Sequence, residues 1–262
     1  MSRLRILLLG DVVGAPGRVM LQKHLPRLRT EHSIDGVIVN GENSAHGKGI
    51  TPSDMKFFKH IGVDVVTTGN HIWQRREIIS YFADHKDLLR PANFPSDTPG
   101  SGVTTFMCKG YEVAVVNIQG RVFMRELLAD PFRTAESLLT YLRSKTKIIF
   151  VDFHAETTSE KTGMGYFLDG RVSGVVGTHT HVQTADERIL PNGTAFISDL
   201  GMTGPYNSVI GKKLDSVLEM FLTQMPVRFE VADGPYQFNA VVLDIDEDSG
   251  KAESIDRILN LE

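Results

Sequence analysis

The chain has 262 residues, with 28 Lys and Arg against 32 Asp and Glu, 24 glycines and 11 prolines. Its 41% apolar and 23% charged content is that of a globular protein and excludes collagen, a coiled coil and wholesale disorder. A formal charge of -4 lacks the basic excess that gripping a polynucleotide requires, and one cysteine, Cys108, allows neither an internal disulfide nor a multi-cysteine zinc site.

The first apolar run, Ile6-Leu7-Leu8-Leu9, is too short for the core of a signal peptide and stops at Gly10-Asp11. It reads as a buried strand over residues 5–10. Runs of the same kind follow at 36–40 and 64–69, separated by helical spacing at 17–31 and by a helix at 52–61 that opens with Thr51-Pro52. Strand, helix, strand in this rhythm implies parallel pairing through right-handed crossovers. Strands are then expected at 103–107 and 112–117, a helix at 131–143, and strands at 148–153, 174–177 and 194–198. A helix near 216–222 precedes three late strands at 227–231, 238–245 and 253–259, read as an antiparallel edge or a second sheet. The proline-rich stretch 90–102 marks a hinge or lobe boundary, and a single domain over 1–262 with a small cap lobe inserted near 72–130 is the expected organisation. No run approaches the roughly 20 apolar residues that cross a bilayer. No membrane association and a cytoplasmic location are expected.

Ligand-type residues gather just after these strands. Asp11 follows the first, Glu42 and Asn43 the second, Asn70 and His71 the third, His154 the strand at 148–153, and His179 and His181 the strand at 174–177. In α/β sheets ligands bind beyond the carboxyl ends of the strands, so these positions converge on one crevice. Carboxylates, amides and imidazoles without thiolates form a mixed N/O set suited to Zn, Fe, Mn or Co. The set exceeds what one four-coordinate ion needs, and two ions sharing a carboxylate are a recurrent solution for displacement at phosphorus. Taken singly, each residue also has a structural reading, as a turn former or a satisfied histidine; five strand ends terminating in ligand types is what gives the set weight. The glycines of 10–17 do not have dinucleotide-binding spacing, Gly47-Lys48-Gly49 is not a Walker loop, and no G-x-S-x-G elbow is present.

The segments GDVVGAPGR, NGENSAHGKG, GNHIW, RPANFP, DFHAE, GTHTHVQTAD and GMTGPY, in this order, resemble the YmdB-like bacterial branch of the calcineurin-like metallophosphoesterases. The likeness runs from Asp11 to beyond Arg228, most of the chain. It implies a two-sheet sandwich of mixed β-sheets flanked by helices and activity as a phosphodiesterase, notably on 2',3'-cyclic nucleotides. It further implies two divalent transition-metal ions, iron first, then manganese, with zinc also compatible. Glu42 would bridge them, with Asp11, Asn43 and His181 on one ion and Asn70, His154 and His179 on the other.

On this reading two divalent ions carry about +4 and the carboxylates of Asp11 and Glu42 remove 2, leaving a cationic pocket for a phosphodiester. A metal-bridging hydroxide attacks phosphorus, and His71, not assigned to a metal, is the expected general acid. A phosphomonoesterase on the same site and a nucleotide-binding regulator with incidental hydrolysis are the alternatives. RNA recruitment by Arg121, Arg125, Arg133 and Arg171 is disfavoured by the interspersed acids. A homo-oligomer is compatible with Met124, Leu127 and Leu128, which suit a core or an interface equally.

Overall fold

The computed structural model of the protein describes residues 3–262. In chain order its elements are β1 (Arg3–Leu9), β2 (Asp11–Val12), α1 (Gly14–Glu31), β3 (Gly36–Asn40), α2 (Pro52–His60), β4 (Val65–Thr67), β5 (Val103–Cys108), β6 (Tyr111–Gln119), α3 (Pro131–Leu142) and β7 (Ile148–His154). There follow α4 (Thr158–Leu168), β8 (Gly174–Thr178), β9 (Arg188–Ile189), β10 (Ala195–Ile197), β11 (Met202–Pro205), α5 (Leu214–Thr223), β12 (Tyr236–Asp246) and β13 (Ala252–Leu261). Two 3-10 segments, Ile72–Gln74 and Arg76–Ala83, follow β4.

Two mixed sheets form. In the first, β1, β3 and β4 run parallel, β12 pairs antiparallel with β1 along residues 240–246, and β13 lies on the other edge of β12. The short β11 joins β2 in parallel and the start of β12 antiparallel. The second sheet has the order β5-β6-β7-β8-β10-β9, parallel from β6 through β10 and antiparallel at both edges.

Strand alternation sorts the core into three layers. Leu4, Ile6 and Leu8 of β1 face Val113, Val115, Phe150 and Val176 of the second sheet between the sheets. Leu7 and Leu9 point the other way, onto Met20, Leu21, Leu25 and Leu28 of α1. On the far face of the second sheet, Val116, Ile149 and Val151 pack on Leu139 of α3 and Met164 of α4. The result is a helix-sheet-sheet-helix sandwich, with the central strands of both sheets buried on both faces.

Local chemistry sets several element starts. Thr51 caps α2 in a full capping box: its hydroxyl accepts from Asp54 N at 3.2 Å while Asp54 accepts from Thr51 N at 2.9 Å, with Pro52 in the first turn. Asp130 does the same work for α3, accepting from the backbone of Phe132 and Arg133.

Three sequence readings need correction. Residues 227–231 form no strand; only Val231 bridges, to Lys212. Residues 227–231 all line a cavity wall instead. The strand read at 238–245, placed at an edge or in a second sheet, lies inside the first sheet between β1 and β13. The helix α4, in the sequence TSEKTGMGYFL, was not foreseen because two glycines depress its helical signal. Gly165 is there for packing: a Cβ on it would sit 2.5 Å from the Phe196 ring. Within 72–130, β5 and β6 are strands of the second sheet.

Candidate metal centre

All the strand ends named above deliver their polar residues to one place. Asp11 begins β2, Glu42 and Asn43 follow β3, Asn70 and His71 follow β4, His154 ends β7, and His179 and His181 follow β8. Asp11, Glu42 and His154 are fully buried, and Asn43 nearly so. This convergence needs close backbone crossings. A Cβ on Gly69 would lie 2.1 Å from the His154 ring, and one on Gly177 would lie 1.9 Å from the Ser198 carbonyl oxygen. Glycine at both positions lets the chain pass.

Two groups of donors share Glu42. In the first, His154 Nε2 lies 3.0 Å from His179 Nδ1, 3.0 Å from Asn70 Oδ1 and 3.3 Å from Glu42 Oε1. Donor atoms set about 2.1 Å from one ion at tetrahedral to octahedral angles lie roughly 3.0–3.4 Å apart, so this quartet has the spacing of a ligand set. Ligand atoms of Glu42, His154 and His179 all fall within 4.8 Å of one another. In the second group the Asn43 amide nitrogen is 3.1 Å from His181 Nε2, 3.2 Å from Glu42 Oε1 and 3.4 Å from Asp11 Oδ1. Turning that amide about its axis exchanges its two atoms and sets the carbonyl oxygen among those three groups. His71 completes the ring, with Nδ1 3.1 Å from Glu42 Oε1 and 3.0 Å from Asn43 Oδ1, and its side chain partly exposed to the adjoining cavity.

The electrostatics of the cluster call for positive charge. Burial, reinforced by Glu42, pushes the Asp11 carboxyl well above the usual carboxylate range. Burial works on Glu42 in the same direction, but the charge of His154 and hydrogen bonds from His154 and His71 overcome it and hold Glu42 well below its usual range. His154 is raised to about 9 because Glu42, Asp11 and Asp152 outweigh its burial. His179 is pushed down to about 3 by burial and by the charge of His154, and burial also lowers His181. Neutral imidazoles with free lone pairs around buried carboxylates fit divalent cations, which would replace the His154 proton as the compensating charge.

Several residues that fix this geometry escaped the sequence reading. Asp152 is buried and accepts from Asn40, Thr67 and Thr178, and the Thr178 hydroxyl in turn lies 2.9 Å from His154 Nδ1. It stands two residues before His154 on β7, hence on the same face, a relation the strand assignment itself offered. Asp199, just past β10, forms a buried ion pair with Lys161 at 2.6 Å and accepts from Thr180 N at 3.1 Å and the Thr180 hydroxyl at 2.8 Å. It thereby holds the loop carrying His179 and His181, both at positive φ. His181 Nδ1 is further tied to the Ile210 carbonyl at 2.9 Å, and His179 Nε2 to Glu156 at 3.1 Å. Such outer partners orient imidazole ligands.

Beside the cluster opens a cavity of about 400 Å³, in the range of small-molecule sites. His71, His179 and His181 form one side; Ile210, Val217, Met220, Phe221 and Phe229 form an apolar side. No helix among the described residues is long and apolar enough to cross a membrane.

Comparison with known proteins agrees with this architecture. Residues 7–258 match the family described as YmdB-like protein. The chain is 50% identical over 256 residues to the 2',3'-cyclic-nucleotide 2'-phosphodiesterase of Bacillus subtilis, covering 98% of this chain and 97% of that one. It superposes on the crystal structure of a hypothetical protein from Thermus thermophilus with a TM-score of 0.93 and 40% identity, covering 99% of this chain and 100% of the other. A phosphatase from Mycoplasma pneumoniae gives a TM-score of 0.94 at 35% identity, with 100% and 95% covered. Matched along its length in sequence and in its paired mixed sheets, the chain belongs to the YmdB-like family of calcineurin-like metallophosphoesterases.

Proposed function

We propose that the protein is a metal-dependent phosphodiesterase acting on small phosphodiesters, 2',3'-cyclic nucleotides foremost. The observation that carries this reading is the donor quartet of Glu42, Asn70, His154 and His179, shared through Glu42 with Asp11, Asn43 and His181, at the mouth of an apolar cavity. The activity named for the Bacillus subtilis relative supports it.

Asn70, His154 and His179 would hold one ion, Asp11, Asn43 and His181 a second, with Glu42 between them. Bound there, divalent ions supply Lewis acidity at phosphoryl oxygens and lower the pKa of water towards neutrality. The chain does the rest. The apolar side of the cavity, with Phe221 and Phe229, receives the nucleoside and sets the phosphate against the cluster. His71 is held at Nδ1 by Glu42, which leaves Nε2 to give its proton to the departing oxygen. Nitrogen and oxygen donors without sulfur admit iron, manganese and zinc.

The test is elemental analysis of protein purified without chelator, paired with hydrolysis of adenosine 2',3'-cyclic phosphate before and after metal removal. About two ions per chain with turnover that vanishes and returns with metal is the expected result. Absence of both metal and turnover after reloading overturns the reading. Faster turnover of p-nitrophenyl phosphate than of bis-p-nitrophenyl phosphate would transfer it to a phosphomonoesterase.

A further inference from the structure

The substrate cavity does not end at the nucleoside side. Lys48, Lys212 and Phe229 line it and also line a second cavity of about 760 Å³, so the two adjoin at these side chains. The second cavity adds Arg75, Arg228 and His46 to Lys48 and Lys212. Of its two acids, Glu230 pairs with Lys213 at 2.7 Å, and Asp233, without an ion pair among the described residues, lies in the field of the same lysine. None of the four cations forms an ion pair among the described residues, although Arg228 lies in the field of Glu230. Arg75 Nε is buried without a hydrogen-bond partner while its Nη2 donates to the Ala45 carbonyl at 3.5 Å, and Lys212 Nζ donates to the Gly47 carbonyl at 3.0 Å.

The loop that brings these groups together is built for them. His46, Gly47 and Gly49 all have positive φ, and a Cβ on Gly47 would lie 2.4 Å from Lys212 Nζ, so glycine there makes room for the ammonium. Burial, with a further contribution from the neighbouring Lys48, lowers Lys212 to about 8. Gathering such cations costs free energy unless an anion joins them. The metal cluster already accounts for the scissile phosphate, which leaves these cations for another.

We propose that the substrate bears a second phosphate, on the 5' side of the nucleoside, and that Lys48, Arg75, Lys212 and Arg228 hold it. This rests on the phosphodiesterase reading and narrows it: the substrate class becomes 2',3'-cyclic nucleotides that carry a 5'-phosphoryl group. That phosphate is either a terminal monoester or the internal diester of a short oligonucleotide ending in the cyclic phosphate. Charge-assisted hydrogen bonds from guanidinium and ammonium groups serve both.

The experiment compares kcat/KM for adenosine 2',3'-cyclic phosphate, its 5'-phosphorylated derivative, and the adenylyl dinucleotide ending in a 2',3'-cyclic phosphate. The metal-loaded wild type and the Lys48→Ala/Arg228→Ala double variant are both assayed. In the wild type, at least one 5'-phosphorylated substrate is expected to exceed the unphosphorylated one by about tenfold, chiefly through KM. Which arm gains identifies the monoester or the diester. In the double variant the ratio falls to about 1. A wild-type ratio near 1 for both arms, or a ratio retained by the double variant, overturns the proposal while leaving the phosphodiesterase intact. Calorimetric binding of adenosine 3'-monophosphate and adenosine 3',5'-bisphosphate reads the same contrast without turnover. A tenfold tighter bisphosphate that loses its advantage in the double variant supports the second phosphate even if hydrolysis fails. Equal affinities in the wild type overturn it.

Discussion

The two sides of the cavity beside the cluster are made differently. On one, the ends of β1, β3, β4, β7 and β8 bring donors that are buried or half-buried and cross-linked, with Asp152 bonded to three strands and Asp199 clamped by Lys161. On the other, α5 and the loops around it are half open, with Leu218 43% and Phe221 59% exposed. Chemistry that depends on tenths of an ångström is placed where sheets fix it, and recognition of an apolar body is left to a looser surface. A substitution on the first side is therefore expected to cost metal and turnover, and one on the second to cost affinity.

The largest effect is expected at His154→Ala, where the chain should lose bound metal by elemental analysis and at least about 10⁴-fold in turnover. His71→Ala separates ligand from acid: turnover should fall roughly 10² to 10⁴-fold with metal content retained, and loss of metal would make His71 a ligand instead. Lys161→Met leaves Asp199 as an unpaired buried charge, and denaturant unfolding should show a loss of about 3–5 kcal/mol. Lys161→Met/Asp199→Leu should recover much of that stability yet bind metal about 10–100-fold more weakly, because the His179–His181 loop loses its clamp. Metal affinity should also depend on pH. With His154 raised to about 9, an ion must displace its proton below that pH, so affinity should fall by up to about tenfold per unit as the pH drops from 9. Titration at constant ionic strength measures the slope; a flat profile would mean that His154 is not displaced. The smallest effect is expected at Phe221→Ala, a rise in KM for the cyclic nucleotide of about tenfold with kcat nearly unchanged. A kcat defect there would erase the distinction between the two sides.

What the sequence disclosed follows the same division. Strands buried on both faces appear as unbroken apolar runs, so 36–40 matched β3 to the residue and the ligand-type residues at the ends of the early strands stood out. Periodicity failed where it was imitated or interrupted. Val227, Phe229 and Val231 alternate with Arg228 and Glu230 along a cavity wall that all five line, and nothing in that pattern distinguishes such a wall from a strand. The four residues of β11, with Gly204 and Pro205, carry too little pattern to be seen; they form a strand because β2 and β12 flank them. Asp199 was overlooked for another reason. It contributes through hydrogen bonds to residues distant in sequence, and such bonds leave no local spacing.

Gly69 and Gly177 bear on how such a centre can be transplanted or varied. Copying the donor side chains onto another sandwich would reproduce the ligand inventory but not the backbone clearances, and an alanine at either glycine would shift a histidine or a strand crossing before any metal arrived. The heritable unit of this chemistry is accordingly a set of strand-end segments together with the spacer glycines that let them cross, and drift in the donors is constrained by residues that never touch an ion.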